Sequence, residues 1–203
     1  MSNAADRRKP VLDFWDPHFH IWDITENAAL QSGVEPAALT GGTPGDDLNY
    51  RYDRLLKEFA PLNGEDIQLK YIGGCFVEAM SVCHPQTSAD DLNPLCLQEA
   101  RWAERELPQH FFFCPSVQLH ASNAEATLSE LAKVRHVRGI RQILNYRLEP
   151  ASKRAPRCSE DFLQNPTFLK NFGLLATHDL HFECQVQTVI SSLCVYVQCM
   201  VMT

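Results

Sequence analysis

His18 and His20 stand two residues apart in the run Asp16-Pro17-His18-Phe19-His20, which follows the apolar stretch Val11 to Trp15. Successive side chains of extended backbone face opposite ways, so both imidazoles point to one side while Phe19 and Ile21 point to the other. Two imidazoles on one side can share a divalent ion, and an ion held that way activates water or polarises a carbonyl. The competing reading is two ordinary loop histidines, because His-x-His is a common pattern in a chain with eight histidines. The setting favours the first reading, since the pair closes an apolar run near the N-terminus and is flanked by Asp16 and Trp22.

Such a pair needs a strand whose end opens onto a cavity, and the chain repeats a pattern of that kind. Five apolar runs read as strands: Val11 to Trp15, Tyr71 to Ala79, Phe111 to Leu119, Val137 to Leu144 and His181 to Gln187. Between them lie segments of helical period. Tyr52, Leu55, Leu56 and Phe59 recur at i, i+3, i+4 and i+7, and Pro61 stops that helix. Asn93 and Pro94 read as N-cap and first helical residue of a second helix, with Leu95, Cys96, Ala100, Ala103 and Leu107 as its apolar face. Ser122 and Glu125 have capping-box spacing before Leu128 and Leu131, and Asn165 with Pro166 starts a fourth helix through Phe168, Leu169, Phe172 and Leu175. The order βαβαβαβαβ is that of repeated βα units over a parallel sheet.

Length and charge narrow the classes. A complete eightfold β/α barrel usually takes about 250 residues, so with 203 residues an open or unfinished version has to be considered. The formal charge of -7, with basic residues scattered among acidic ones, gives no footprint for nucleic acid or an anionic membrane. The start MSNAADRRKP is polar, without the apolar stretch of a signal peptide, so residues 1–10 read as a disordered N-terminus and the protein as cytoplasmic. Cys75, Cys114 and Cys184 fall in strand-like runs as small hydrophobes, and no C-x-x-C suggests a structural zinc module. Thr25 to Leu48, rich in Gly, Pro, Asp and Ala, reads as a long loop after the first strand, on the side where a lid would form. Residues 188–203 carry no charge, Gly or Pro, and read as a divergent apolar tail: a sixth strand, an aggregation-prone end or a foreign sequence.

The string LDFWDPHFHIWD resembles the first strand of the amidohydrolase superfamily, in the amidohydrolase-2 branch of lactonases and some metal-dependent decarboxylases. The similarity continues in VRGIRQILN and in NPTFLKNFGLLATHDLHFECQV, which look like the branch's fourth strand, following helix and fifth strand. The resemblance implies an α/β fold of incomplete TIM-type (β/α) barrel, about five βα units over residues 11–187. It also implies a divalent metal, zinc before others, on His18 and His20, although some members work without one. Arg141 would grip a substrate carboxylate or lactone oxygen, or sit in a surface ion pair. Glu78, at the end of the second strand, would ligate, orient a water or support a ligand, or else be a solvated carboxylate. Gln118 and Gln185, ending the third and fifth strands, would hydrogen-bond substrate or satisfy loop backbone. Of the other histidines, His120 lies near enough to reach the mouth. His84, His110 and His136 read as loop or surface, and His178 and His181 belong to the start of the fifth strand, the wrong end for catalysis.

Members of the branch complete the site with a histidine after the fifth strand and a late aspartate base. This sequence has no histidine or aspartate after Glu183, so the catalytic base is unassigned and a truncated, impaired copy is expected. Three functions follow. One is a metal-dependent hydrolase of a lactone or related small carboxylated substrate. Another is a noncatalytic remnant that pairs its open sheet edge with another subunit, including its own copy. The last is a metal-dependent decarboxylase on the same scaffold.

Overall fold

The computed structural model describes residues 9–28, 48–59, 67–78, 87–144, 146, 158, 160–190 and 193–201, with side chains described through Cys184. Strands β1 (Val11–Phe19), β2 (Gln68–Val77) and β3 (Phe112–Cys114) pair in parallel in that order. Strands β4 (Gly139–Ile143) and β5 (His181–Ile190) form a second parallel pair, and β6 (Leu193–Val201) joins β5 antiparallel. Isolated parallel bridges, Phe113 to Val137 and Ser116 to Arg141, link β3 to the β4 region. The fold is therefore α/β with parallel sheets, and the described strands do not close into a barrel.

Five helices are described: α1 (Ile24–Ala28), α2 (Tyr52–Phe59), α3 (Ala89–Glu106), α4 (Ala124–Leu131) and α5 (Pro166–Thr177). The core lies between the helices and one face of the strands. The Phe76 and Phe113 rings stack at 4.4 Å between centroids, and Trp102 of α3 meets Phe76 edge-on at 6.3 Å. Farther along, Phe168 and Phe172 of α5 meet Phe182 of β5 at 6.3 and 5.1 Å. These aromatic residues alternate along the strands with residues of the opposite face, among them Cys75, Phe112, Cys114 and Glu183. Gly139 lets β4 and β5 approach, since a Cβ there would meet the His181 backbone oxygen at 2.8 Å.

Several local expectations are corrected. Helix α3 begins at Ala89, a turn before Asn93 and Pro94, because Ser88 caps it by accepting from the Asp91 N–H. Pro94 then falls inside the helix, where its missing N–H would leave the Asp90 carbonyl unsatisfied. The Asn123 side-chain amide donates to that carbonyl at 2.6 Å. Asn93 is fully buried: its Oδ1 accepts from the Gln118 N–H and its Nδ2 donates to the Gln118 carbonyl and to Asn123 Oδ1. At α4 the N-cap residue is Asn123, and Ser122 donates its hydroxyl to Asp90 instead of forming a capping box.

The third strand ends at Cys114, because Pro115 lacks a ladder donor, and the rest of the run to Leu119 is buried irregular chain. Thr25–Ala28 belongs to α1, not to loop. The chain on either side of this excursion is pinned by reciprocal Trp22–Tyr50 backbone bonds of 2.8 and 2.9 Å and by their stacked rings. The remainder of the expected lid, 29–47, lies outside the described residues, as do 1–8 of the N-terminal segment. His136, expected at the surface, is buried, with Nδ1 at 2.9 Å from the Phe111 carbonyl. Of the tail, 188–190 continue β5 and 193–201 form β6.

Candidate functional site

Strand β1 (Val11–Phe19) carries His18 at its C-terminal end and His20 just beyond it, beside the C-terminal end of β2. Their Nε2 atoms lie 3.1 Å apart, with the rings edge-on at 4.8 Å between centroids. An ion at the usual zinc–nitrogen distance of about 2.0–2.1 Å would hold two tetrahedral nitrogens roughly 3.3 Å apart. His20 Nδ1 lies 2.6 Å from the Val77 carbonyl of β2. A carbonyl only accepts, so that nitrogen carries the proton and the Nε2 lone pair is presented toward His18. Burial lowers the pKa of both imidazoles, aided at His18 by the Arg141 charge, which favours the neutral, ligating form.

Behind the pair stands Glu183 of β5. Its Oε1 is 3.8 Å from His18 Nδ1 and 3.6 Å from Arg141 Nε. With His18 kept neutral, the first contact is dipolar and the second is the ion pair. Arg141 and Glu183 are register partners on β4 and β5, so their side chains emerge on the same face. Burial raises the Glu183 carboxyl above its ordinary value, opposed by Arg141 and by the Cys114 thiol that bonds to it. Burial also pushes the Cys114 thiol well up and that of Cys75 to about 12, which leaves both unreactive as nucleophiles.

The other sequence-derived candidates are distributed around this centre. Arg141 Nη1 donates to the Glu78 backbone carbonyl at 3.2 Å, so it braces the end of β2 as well as Glu183. The Glu78 side chain is buried within electrostatic reach of Glu99 on α3. Among the described residues neither buried Glu99 oxygen has a hydrogen-bond partner, and burial together with the Glu78 charge raises its pKa well above the usual carboxylate range. Gln118 is buried, its backbone held by Asn93 and its Nε2 directed to Ser116 Oγ at 3.3 Å. The Gln185 backbone pairs with Ile143 and Gln198, and its side chain lies outside the described set. His120 stacks on Phe162 at 4.1 Å and contacts Gln142, apart from the pair.

Glu183 is the residue that reading strand ends overlooked. It shares a strand face with Gln185, two residues on, and that alternation is the signal that could have found it. Among the described residues, no group of three or more His, Cys, Asp or Glu side chains is placed to hold one metal ion. The donor chemistry of His18 and His20 fits an ion, and a third protein ligand is not found among the described residues. No helix among them is long and apolar enough to cross a membrane. No protein-family model matches the chain, and no curated protein does.

Proposed function

We propose that the chain carries the opening part of a (β/α) barrel of amidohydrolase-2 type, with a metal-assisted hydrolase site for a lactone or related small carboxylated substrate. The observation that supports this reading most is the 3.1 Å convergence of the two Nε2 atoms, with His20 Nδ1 anchored on Val77. His18 and His20 would hold a divalent ion, zinc by its preference for imidazole, which when bound polarises a carbonyl and makes water more acidic. Arg141 binds and orients a substrate carboxylate or lactone oxygen. Glu183 fixes the Arg141 guanidinium and faces the outer nitrogen of His18, keeping the ring oriented. No described residue is assigned as the base that takes the proton from water.

The test is the metal content of protein purified without chelators. Near-stoichiometric zinc that disappears in the His18→Ala, His20→Ala double variant is the expected result, and metal-free wild-type protein that stays empty on dialysis against zinc sinks the reading. A second reading, a noncatalytic subunit that pairs through its sheet edge, draws on the absence of a third ligand among the described residues. Decarboxylation on the same scaffold would share the two histidines and differ only in the bond broken.

A further inference from the structure

On the face of the strands opposite the helices runs a groove of about 410 Å³, lined among others by Trp15, Cys75, Phe112, Arg138, His181 and Glu183. Gly139 and His181, the first residues of β4 and β5, mark one end of it, while Pro17 of β1 and Cys75 of β2, near the ends of those strands, line it on the side toward the histidine pair. The histidines do not line the groove, and Glu183, which does, stands 3.8 Å from His18.

The walls are aromatic and remain open. Trp15 and Phe112 are 39% and 41% exposed, with ring centroids 6.2 Å apart. Large aromatic rings left accessible inside a concavity suit the flat apolar body of a ligand.

The charges supply the other half of the argument. The Arg138 guanidinium lies over the Phe112 ring at 5.6 Å, and Nη1 is fixed by the Arg135 and Val137 carbonyls at 2.9 and 2.8 Å. Within the described residues Arg138 forms no ion pair with a carboxylate. At the same end His181 lines the groove, and its Nδ1 is buried without a hydrogen-bond partner among the described residues. Glu183, the groove's carboxylate, is answered by Arg141 at 3.6 Å. The uncompensated charge is therefore positive and sits at the strand-start end.

From this complementarity we infer that the groove binds an aromatic monoanion, its ring laid against the exposed faces of Trp15 and Phe112 and its anionic group at the end marked by Arg138 and His181. The site goes beyond the hydrolase reading and does not depend on the two metal-type histidines.

The probe is 2-naphthoate, titrated into the full chain by calorimetry and by quenching of tryptophan fluorescence. Saturable one-to-one binding is expected, weakened at least about tenfold in Arg138→Gln, the loss of one charge-assisted contact. Arg138→Lys should recover part of it, and uncharged 2-naphthol should bind at least about tenfold more weakly than the anion. Affinity should survive in the His18→Ala, His20→Ala double variant, which separates this site from the metal reading. Three results overturn the inference: affinity unchanged in both Arg138→Gln and Phe112→Ser, affinity lost in the double histidine variant, or sedimentation showing that a second copy fills the groove and naphthoate does not displace it.

Discussion

At the scale of single residues, the two buried ionic arrangements differ in how they respond to change. Among the described residues Glu99 has no compensating cation, and its proton is held more tightly in the fold than in the unfolded chain. Its stabilising contribution is complete below the ordinary glutamate value of about 4.3 and is lost as pH rises through the folded value. Glu99→Gln keeps the shape of the protonated acid, so its melting temperature should vary less between about pH 5 and about pH 8. At the upper end it should exceed wild type by at least roughly 3 °C, the shift that about 1 kcal/mol brings in a chain of this size. Parallel melting curves for the two proteins would remove this account of Glu99. Arg141 and Glu183 are the opposite case, a buried pair with mutual compensation. Arg141→Ala strands the carboxylate and should cost about 3 kcal/mol in urea unfolding, much of it recovered when Glu183→Gln is added. Equal losses in the single and double variants would show that the pair is not coupled. The histidine pair was legible in the sequence because alternation along one strand decides it. Glu183 was not, because its place beside Arg141 depends on the register between two strands separated by a helix.

At the scale of elements, legibility follows how local the deciding interaction is. Helix α5 was readable from Asn165 and Pro166, and its cap is local: Asn165 Oδ1 accepts from the Thr167 and Phe168 N–H groups at 2.9 and 3.0 Å. Asn165→Ala should therefore cost about 1 kcal/mol in urea unfolding, with Asn165→Asp close to wild type. A loss equal in both variants would assign the effect to the Nδ2 contact with Glu160 instead. The start of α3 misled because proline is at home in the first turn of a helix, and nothing near Pro94 reveals that Asn123 takes the stranded carbonyl. The strand after Phe111 misled for a related reason, since apolar composition persists past Pro115 although pairing there shrinks to the single Ser116–Arg141 bridge.

At the scale of the molecule, five strands in parallel order were expected and are found. Closure was beyond what local pattern can specify. Among the described residues β1 has one paired neighbour, β2, and its first residues Val11 and Leu12 are exposed by 53% and 51%. An unpaired edge with apolar side chains invites strand pairing between copies. Sedimentation velocity should show association that grows with concentration and is reduced in Leu12→Lys, and a monomer at all concentrations would argue against an edge contact. The Asn93 amide carries a consequence of a different kind. Its oxygen takes the place of a main-chain acceptor for the N–H of Gln118, which lies in irregular chain between β3 and α4. In deuterium oxide the Gln118 amide should therefore retain its proton about as long as strand amides in the interior. Asn93→Ala would turn that position into an ordinary fast-exchanging loop site, a local opening visible by NMR before any global unfolding.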